Sequence, residues 1–185
     1  MSATANASYT WDDFVALGED DLRELIDGEL VEVEVPTWTH EDIVAMLIFF
    51  LTGWAQAGHG GRAIASGYKV RISDRRGVMP DVQFYRKGNT AGSEQAQGLV
   101  HGRPDLVVEV ISPSSLRHDR VTKLHWYAQI GVPEYWIVDG TSRTLEQLVL
   151  REGIYGIVSS LAEANTFAPS TFEGLEIPLA KLWDE

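Results

Sequence analysis

Apolar and polar residues alternate in several short stretches of the chain, and this period of two is typical of half-buried β-strands. Two such stretches flank Asp27-Gly28, a dipeptide that favours tight turns, so the pattern predicts an N-terminal β-hairpin. Further strands are predicted at about 63–72, 78–85, 143–150 and 154–161. The last two would form a second hairpin, which we expect to be exposed.

Two other stretches are apolar with little alternation, which is the pattern of strands buried on both faces. They span residues 104–112 and residues 134–139. A helix is predicted between them from about Leu116 to Ile130, and Gly131-Val132-Pro133 would end it. A strand–helix–strand unit favours two parallel strands joined by a crossover connection.

The longest predicted helix runs from about His40 to Ala57 and is apolar on almost every side. Thr39 would cap its start, and Gly58 would close its end. A helix that is apolar all round is buried, so we expect this one to lie across a sheet.

The pattern as a whole predicts an α/β or α+β fold, in which a mixed sheet carries one helix on each face. A single domain is expected over residues 10–185, after a flexible tail at residues 1–9. A short helix would open the domain after Thr10, and residues 86–103 would form a loop rich in Gly, Ser and Gln.

The composition supports a folded, soluble protein. Hydrophobic residues make up 44% and charged residues 23% of the chain, which are globular values and exclude a disordered chain. There is no cysteine, which excludes disulfides, thiolate metal sites and cysteine nucleophiles. The longest apolar run, residues 43–51, is far shorter than the ~20 residues that a membrane helix needs. The N-terminus lacks the features of a secretory signal, so we expect a cytoplasmic protein without a membrane anchor.

Charge is distributed unevenly along the chain. The net charge of −12 argues against a protein that coats nucleic acids without specificity. Seven of the 15 basic residues nevertheless lie within residues 62–87. They form either the solvated edge of a hairpin or a strip that binds nucleic-acid phosphates. The residues assigned to such a strip are Lys69, Arg71, Arg75 and Arg76.

The acids in the stretch 104–112 are the first sign of chemistry. Asp105 and Glu109 share one face of the predicted strand, and like charges ~4 Å apart repel by about 4 kcal/mol near a surface. A hard divalent cation removes this conflict. If Asp81 on the neighbouring strand lies beside Glu109, the two could hold Mg²⁺ or Mn²⁺, with the Val110 carbonyl as a third ligand. Asp105 would support the site from behind the ligands or simply begin the strand.

Lys123 lies on the helix predicted to follow the Glu109 strand, so its amine could reach such a metal site. A carboxylate-held metal ion with a nearby lysine suits phosphoester hydrolysis. The metal polarises the phosphate and lowers the pKa of its water, and the lysine orients or deprotonates that water or stabilises developing charge. The alternative is a plain surface ion pair between Lys123 and Asp119, four residues earlier on the helix.

The order and spacing of several motifs resemble the Uma-type restriction endonuclease family, a branch of the PD-(D/E)XK nuclease superfamily. The matching motifs are ELIDGELV (24–31), His40, MPDV (79–82), PDLVVEVISPSS (104–115), Asp119, Lys123, Tyr127, GVPEYWIVD (131–139), GIYG (153–156) and EGLEIPLAKLW (173–183). The resemblance covers nearly the whole chain after residue 10. It implies a restriction-endonuclease-like mixed β-sheet flanked by helices, with the N-terminal β-hairpin as an extension.

The resemblance also implies an active site. Asp81 would be the acid of the PD motif and Glu109 the second acid. The superfamily has a lysine two residues after this glutamate, where this chain has Ile111, and Lys123 on the next helix would replace it, as in several branches.

Two further residues follow from the resemblance alone. His40 would lie near the site, where other branches place a glutamate on a helix. Tyr127, one helical turn after Lys123, would support the site from behind.

The prediction is therefore a Mg²⁺- or Mn²⁺-dependent endonuclease that hydrolyses phosphodiester bonds in DNA. Asp81 and Glu109 would bind the ion, and Lys123 would assist the attacking water. The alternative is a catalytically inactive, nuclease-like module that binds nucleic acid or protein, which Ile111 and the negative net charge favour. A third hypothesis is an acidic subunit that binds a protein partner, because residues 1–61 carry twelve acids and one basic residue. The second hairpin and the six tryptophans also suggest a homodimer.

Overall fold

The computed structural model describes residues 8–18, 21–65, 67–89, 91 and 102–183. Most of the predicted tail at residues 1–9 and part of the predicted loop at residues 86–103 lie outside these ranges. The assignment of residues 10–185 to a single domain stays a prediction.

Short helices and strands make up the described chain. The helices are α1 (Trp11–Val15), α2 (Trp38–Trp54), α3 (Leu124–Gln129) and α4 (Ala180–Trp183). The first strands are β1 (Arg23–Ile26), β2 (Glu29–Glu32), β3 (Arg62–Ala65), β4 (Val70–Ser73), β5 (Arg76–Val78) and β6 (Val82–Tyr85). The later strands are β7 (Leu106–Ile111), β8 (Glu134–Asp139), β9 (Thr144–Arg151), β10 (Ile154–Ala162), β11 (Thr166–Phe167) and β12 (Ile177–Pro178). Two π-helical segments, Ala55–His59 and His118–Lys123, follow α2 and precede α3.

The strands form two main sheets. The larger has the order β10-β9-β8-β7-β6-β3, and the smaller has the order β2-β1-β5-β4. Strands β7 and β8 are parallel, as the strand–helix–strand pattern predicts, and their neighbours in the larger sheet are antiparallel. A two-stranded ladder joins β11 to β12.

The central strands of the larger sheet are buried on both faces. On one face Val108 and Val110 pack in a core with Leu47 and other residues of α2. On the opposite face Val107 packs in a second core with Tyr127 of α3. The predicted mixed sheet between helices is confirmed, since β7 supplies apolar side chains to both layers at alternate positions.

The predicted hairpin at Asp27-Gly28 forms between β1 and β2. Both turn residues have positive φ, 52° and 86°, which this tight turn requires and which Gly adopts without strain. The hairpin is more than an extension, because Leu25 of β1 pairs with Gly77 of β5 and so joins it to β4.

The prediction of a single strand over residues 63–72 is wrong, because the chain there forms two strands, β3 and β4, in different sheets. β3 pairs with β6 and β4 pairs with β5. The predicted strand at 78–85 is likewise divided into β5 and β6. Pro80 lies at that division, and a proline cannot donate a hydrogen bond to a ladder.

The start of α2 also differs from the prediction. Thr37, not Thr39, is its cap: the Thr37 side-chain oxygen accepts a hydrogen bond from the His40 amide at 3.2 Å. This cap places His40 in the first turn of the helix. In the described part of the chain, no helix is long and apolar enough to cross a membrane.

Candidate active site

A cavity of about 640 Å³ lies where the two sheets meet the start of α2. All four residues predicted to be catalytic line it: His40, Asp81, Glu109 and Lys123. They come from a helix, a strand division, a central strand and a π-helical segment, so the fold brings together residues that are far apart in sequence.

Asp81 is held by a backbone amide just beyond the end of the β6–β7 ladder. The pairing of β6 with β7 stops at Val82 and Val108, so the amide of Val110 lies beyond the last pair. That amide donates a hydrogen bond to Asp81 Oδ2 at 2.7 Å. Val110, predicted to offer its carbonyl to a metal, therefore contributes its N–H to the positioning of Asp81.

His40 lies against the same oxygen. Its Nε2 is 3.3 Å from Asp81 Oδ2, and both side chains are 17% exposed. Burial lowers the pKa of His40, but the hydrogen bond and charge of Asp81, aided by Glu41, outweigh burial and raise the pKa above its ordinary value. His40 Nδ1 is buried and has no hydrogen-bond partner among the described residues, since Glu41 Oε1 at 3.5 Å is not aligned to accept.

Glu109 is buried near the middle of β7, 2% exposed. Its Oε1 accepts a hydrogen bond from the Tyr127 hydroxyl at 2.5 Å and lies 3.1 Å from Lys123 Nζ. Burial, with the charges of Asp119, Asp81 and Glu24, raises the pKa of Glu109 well above its ordinary value, against the opposing effect of Lys123. A carboxyl group in this environment takes up a proton or another positive charge readily.

The ammonium of Lys123 lies among three carboxylates. Its Nζ is 3.2 Å from Glu24, 3.1 Å from Glu109 and 3.4 Å from Asp119. Burial lowers the pKa of Lys123, but these acids outweigh burial and raise it well above the ordinary value. Lys123 is therefore a cation at neutral pH, and its pair with Asp119 is buried, not the surface pair of the alternative interpretation.

The sequence analysis missed His118, which lines the cavity, and Glu24, which does not line it but pairs with Lys123 and His118. Glu24 Oε1 accepts a hydrogen bond from the Met79 amide at 3.0 Å, and its Oε2 is 3.2 Å from His118 Nε2. Burial raises the pKa of Glu24, but Lys123, His118 and the Met79 amide hold it at about 2. The only signal in the sequence was that Glu24 begins the ELIDGELV motif.

The residues present fit a divalent cation. Three carboxylates, those of Glu24, Glu109 and Asp119, contact the ammonium of Lys123. Asp81 lines the same cavity, so negative charge is in excess. Asp81 Oδ1 and Glu109 Oε2 accept no hydrogen bond from the described residues. The described residues contain no ready-made cluster of three or more metal-ligating side chains. Two carboxylates are nevertheless enough for Mg²⁺, which usually keeps several waters and also takes substrate phosphates.

Two residues assigned to the surroundings of the site have different outcomes. Tyr127 contacts Glu109 directly. Asp105 is not near the site: it precedes β7 at the opposite end from the cavity, where its Oδ2 accepts hydrogen bonds from the Arg86 amide at 2.8 Å and the Asn89 side chain at 2.7 Å. The prediction that Asp105 supports the site is wrong, because the strand between Asp105 and Glu109 spans ~13 Å.

Ile111, at the position of the superfamily lysine, is buried in the core beside α3. Lys123 from the following segment instead brings its ammonium to Glu109. The geometry therefore allows Lys123 to take the place of the superfamily lysine, whose position Ile111 occupies here.

The predicted phosphate-binding strip is only partly at the surface. Lys69 is 5% exposed, and its ammonium donates to the carbonyls of Phe14 at 2.8 Å and Leu17 at 3.1 Å, so it is not available to a phosphate. The three arginines lie at the surface around the β4–β5 turn, with partners of their own. Arg71 pairs with Asp74, Arg76 pairs with Asp27, and Arg75 donates to the Asp27 carbonyl.

Comparisons with known proteins identify the family and the fold of the chain. The Uma2 family model, described as "Putative restriction endonuclease", matches residues 11–180. A crystal structure from Anabaena variabilis ATCC 29413, described as a putative nuclease belonging to DUF820, is similar with a TM-score of 0.74 and 16% sequence identity. The match covers 94% of this chain and 97% of that chain, and at this identity it shows a shared fold. No curated protein matches this chain.

Proposed function

Because the chain belongs to the Uma2 family, described as "Putative restriction endonuclease", we propose that it is a Mg²⁺- or Mn²⁺-dependent endonuclease that hydrolyses phosphodiester bonds in DNA. The observation that carries this proposal is the convergence of Asp81, Glu109 and Lys123 in one cavity. Two carboxylates and an ammonium in one cavity match what phosphodiester hydrolysis requires, which is a metal site and a nearby cation.

The two acids share one task in this proposal, and each is oriented by a different neighbour. Asp81 and Glu109 would hold the metal ion, which when bound would polarise the scissile phosphate and lower the pKa of its water. His40 would keep Asp81 oriented through Oδ2, leaving Oδ1 for the ion. Tyr127 would orient Glu109 in the same way through Oε1, leaving Oε2.

Lys123 would act as a cation and hydrogen-bond donor, not as a base. Its raised pKa keeps the proton on Nζ at neutral pH, so it cannot accept one from water. It would instead orient the attacking water or stabilise the negative charge that develops on the phosphate. Glu24 and Asp119 would hold the ammonium in place.

We expect cleavage of supercoiled plasmid and of single-stranded DNA in the presence of Mg²⁺ or Mn²⁺, and none with EDTA. Agarose and denaturing gels measure both reactions, and titration calorimetry measures metal binding. Cleavage that continues in EDTA would contradict the metal-dependent mechanism. Absence of both cleavage and metal binding would support the inactive binding module, which the buried Ile111 at the position of the usual lysine favours.

We also propose a homodimer formed through β10, the edge strand of the larger sheet. This nine-residue strand contains no charged residue, and Ile154 and Ile157 on it are 74% and 60% exposed. Two copies that each carry a net charge of −12 repel, so a neutral edge is the favourable place for contact.

Light scattering after size exclusion should give twice the chain mass of 20.5 kDa for the wild type. The Ile157→Lys variant should elute as a monomer, because a lysine on an edge strand blocks pairing. A monomeric wild type at micromolar concentration would refute the dimer.

The cytoplasmic location stays a prediction.

A further inference from the structure

The wall of the cavity is divided into a charged floor and an apolar mouth. Asp81, Glu109 and Lys123 lie on the floor. The outer part of the lining includes Glu34 and four apolar residues from the segment between β2 and α2 and from the position before β1. The apolar residues are Leu22, Val33, Val35 and Pro36. Leu22, Val33 and Val35 are 47%, 39% and 76% exposed, so they form an apolar patch at the surface, of the kind that marks a binding site.

The cavity lacks the charges that a DNA duplex requires. Among the described residues that line it there is one lysine and no arginine. That lysine, Lys123, is already surrounded by Glu24, Glu109 and Asp119. Proteins that hold a duplex make several phosphate contacts through Lys and Arg, so this cavity is not built to contact the backbones of both strands.

An exposed tryptophan lies beside the cavity. Trp38 is the first residue of α2, and its chain neighbours Thr37 and Thr39 line the cavity, although Trp38 itself does not. Its side chain is 89% exposed, although tryptophan is a residue that proteins usually bury at least in part. Aromatic side chains at such positions stack on nucleobases, and the base must be unstacked from its neighbours to allow this.

We propose that the cavity takes one unpaired nucleotide of a single DNA strand. The base would extend past Val35 to Trp38 beside the cavity, and the phosphate would approach the metal ion that Asp81 and Glu109 would hold. A volume of about 640 Å³ suits a ligand of nucleotide size and not a segment of duplex. This inference rests on the proposed nuclease function and specifies its substrate as single-stranded or locally unpaired DNA.

The test compares one labelled oligonucleotide, single-stranded or annealed to its complement, in cleavage assays with Mg²⁺ and in anisotropy binding assays with Ca²⁺ and with EDTA. The wild type should cleave and bind the single strand at least about tenfold better than the duplex. Trp38→Ala should lower both on the single strand by about tenfold, the effect of one lost base stack. Trp38→Phe should keep most of the wild-type cleavage and binding, because phenylalanine also stacks on bases.

Phe49→Ala is the matched control. Phe49 is also exposed on α2, at 66%, but lies eleven residues later, ~16 Å along the helix, and should be removable without effect. A second assay follows hydrolysis of bis(p-nitrophenyl) phosphate by the wild type, which reports phosphodiester chemistry without a nucleic-acid strand.

The outcomes separate the two proposals. Failure of the wild type to hydrolyse DNA or the small diester contradicts the nuclease function, while the binding assay still tests the cavity. Equal binding of single strand and duplex, or a Trp38→Ala variant that binds as the wild type does, overturns this inference even if cleavage occurs. Absence of any nucleic-acid binding also overturns it and favours a protein as the occupant of the cavity.

Discussion

Glu109→Gln is expected to abolish metal-dependent cleavage and to leave the protein folded. The variant loses the charge that would hold the metal ion. Because metal assistance is worth several kcal/mol and each 1.36 kcal/mol is tenfold in rate, we expect a loss of about a thousandfold or more. Folding should be retained, since the amide oxygen can still accept the hydrogen bond from Tyr127. The substitution also removes the buried carboxyl group of Glu109, whose charged form is unfavourable in this environment.

Asp81→Asn should behave in the same way, since its amide oxygen can still accept the hydrogen bond from Val110. The matched control is Glu134→Gln. Glu134 is also 2% exposed, on the adjacent strand β8, but it accepts hydrogen bonds from Trp136 and Gln147 and does not line the cavity. Single-turnover cleavage and thermal melts measure the two effects. Full activity in Glu109→Gln or Asp81→Asn would contradict their assignment as metal ligands.

Lys123→Met is expected to cause the largest loss of stability in the site. Three buried carboxylates would lose their ammonium partner, and removal of one member of a buried ion pair costs about 3–5 kcal/mol. In a domain of this size such a loss lowers the melting temperature by ~10 °C. Cleavage should also be lost, because no ammonium remains to orient the attacking water or to stabilise the charge that develops on the phosphate.

The loss should depend on pH. In the wild type the pKa of Glu24 is about 2, below the ordinary value of 4.5, so its ion pair adds stability above pH 4.5. That stability is lost as the pH falls toward 2. The difference in melting temperature between wild type and Lys123→Met should therefore be largest near neutral pH and narrow on acidification. A difference that stays constant with pH would contradict the electrostatic origin.

A double variant separates the structural from the chemical role of Lys123. Glu24→Gln added to Lys123→Met removes one of the unpaired charges and should recover part of the stability. Cleavage should not recover. A double variant that regains activity together with stability would show that Lys123 only maintains the fold.

Local signals explain which elements the sequence predicted well. Asp27-Gly28 needs only its own turn chemistry to form a hairpin. The apolar residues of α2 predict a helix that packs on the sheet, but the helix is not buried all round, since Phe49 is 66% exposed. The unbroken stretch 104–112 and the helix after it are enough to predict the parallel pair β7 and β8. The prediction that Asp81, Glu109 and Lys123 lie together depended on the motif resemblance, because no local pattern indicates which strands are neighbours in a sheet.

The errors arose where a distant contact decides the outcome. The alternation over 63–72 is that of one strand, yet the two halves pair with different strands, and only pairing energies of the whole sheet select this. Lys69 has the charge of a phosphate-binding residue, but it is buried by α1, whose last residues lie about fifty positions earlier. Neither neighbour is visible in the adjacent sequence.

The sequence by itself determined the types of the main elements, the family and the acids and lysine of the candidate site, since these depend on short-range periodicity, turn chemistry and motif order. Only the tertiary structure decided that Glu24 from the hairpin holds Lys123 and that Asp105 lies at the far end of β7. The ionisation of Glu109 and Lys123 was also decided there. The physical reason is that burial and the charges of neighbours set these properties, and the neighbours come from segments up to about a hundred residues away in the chain.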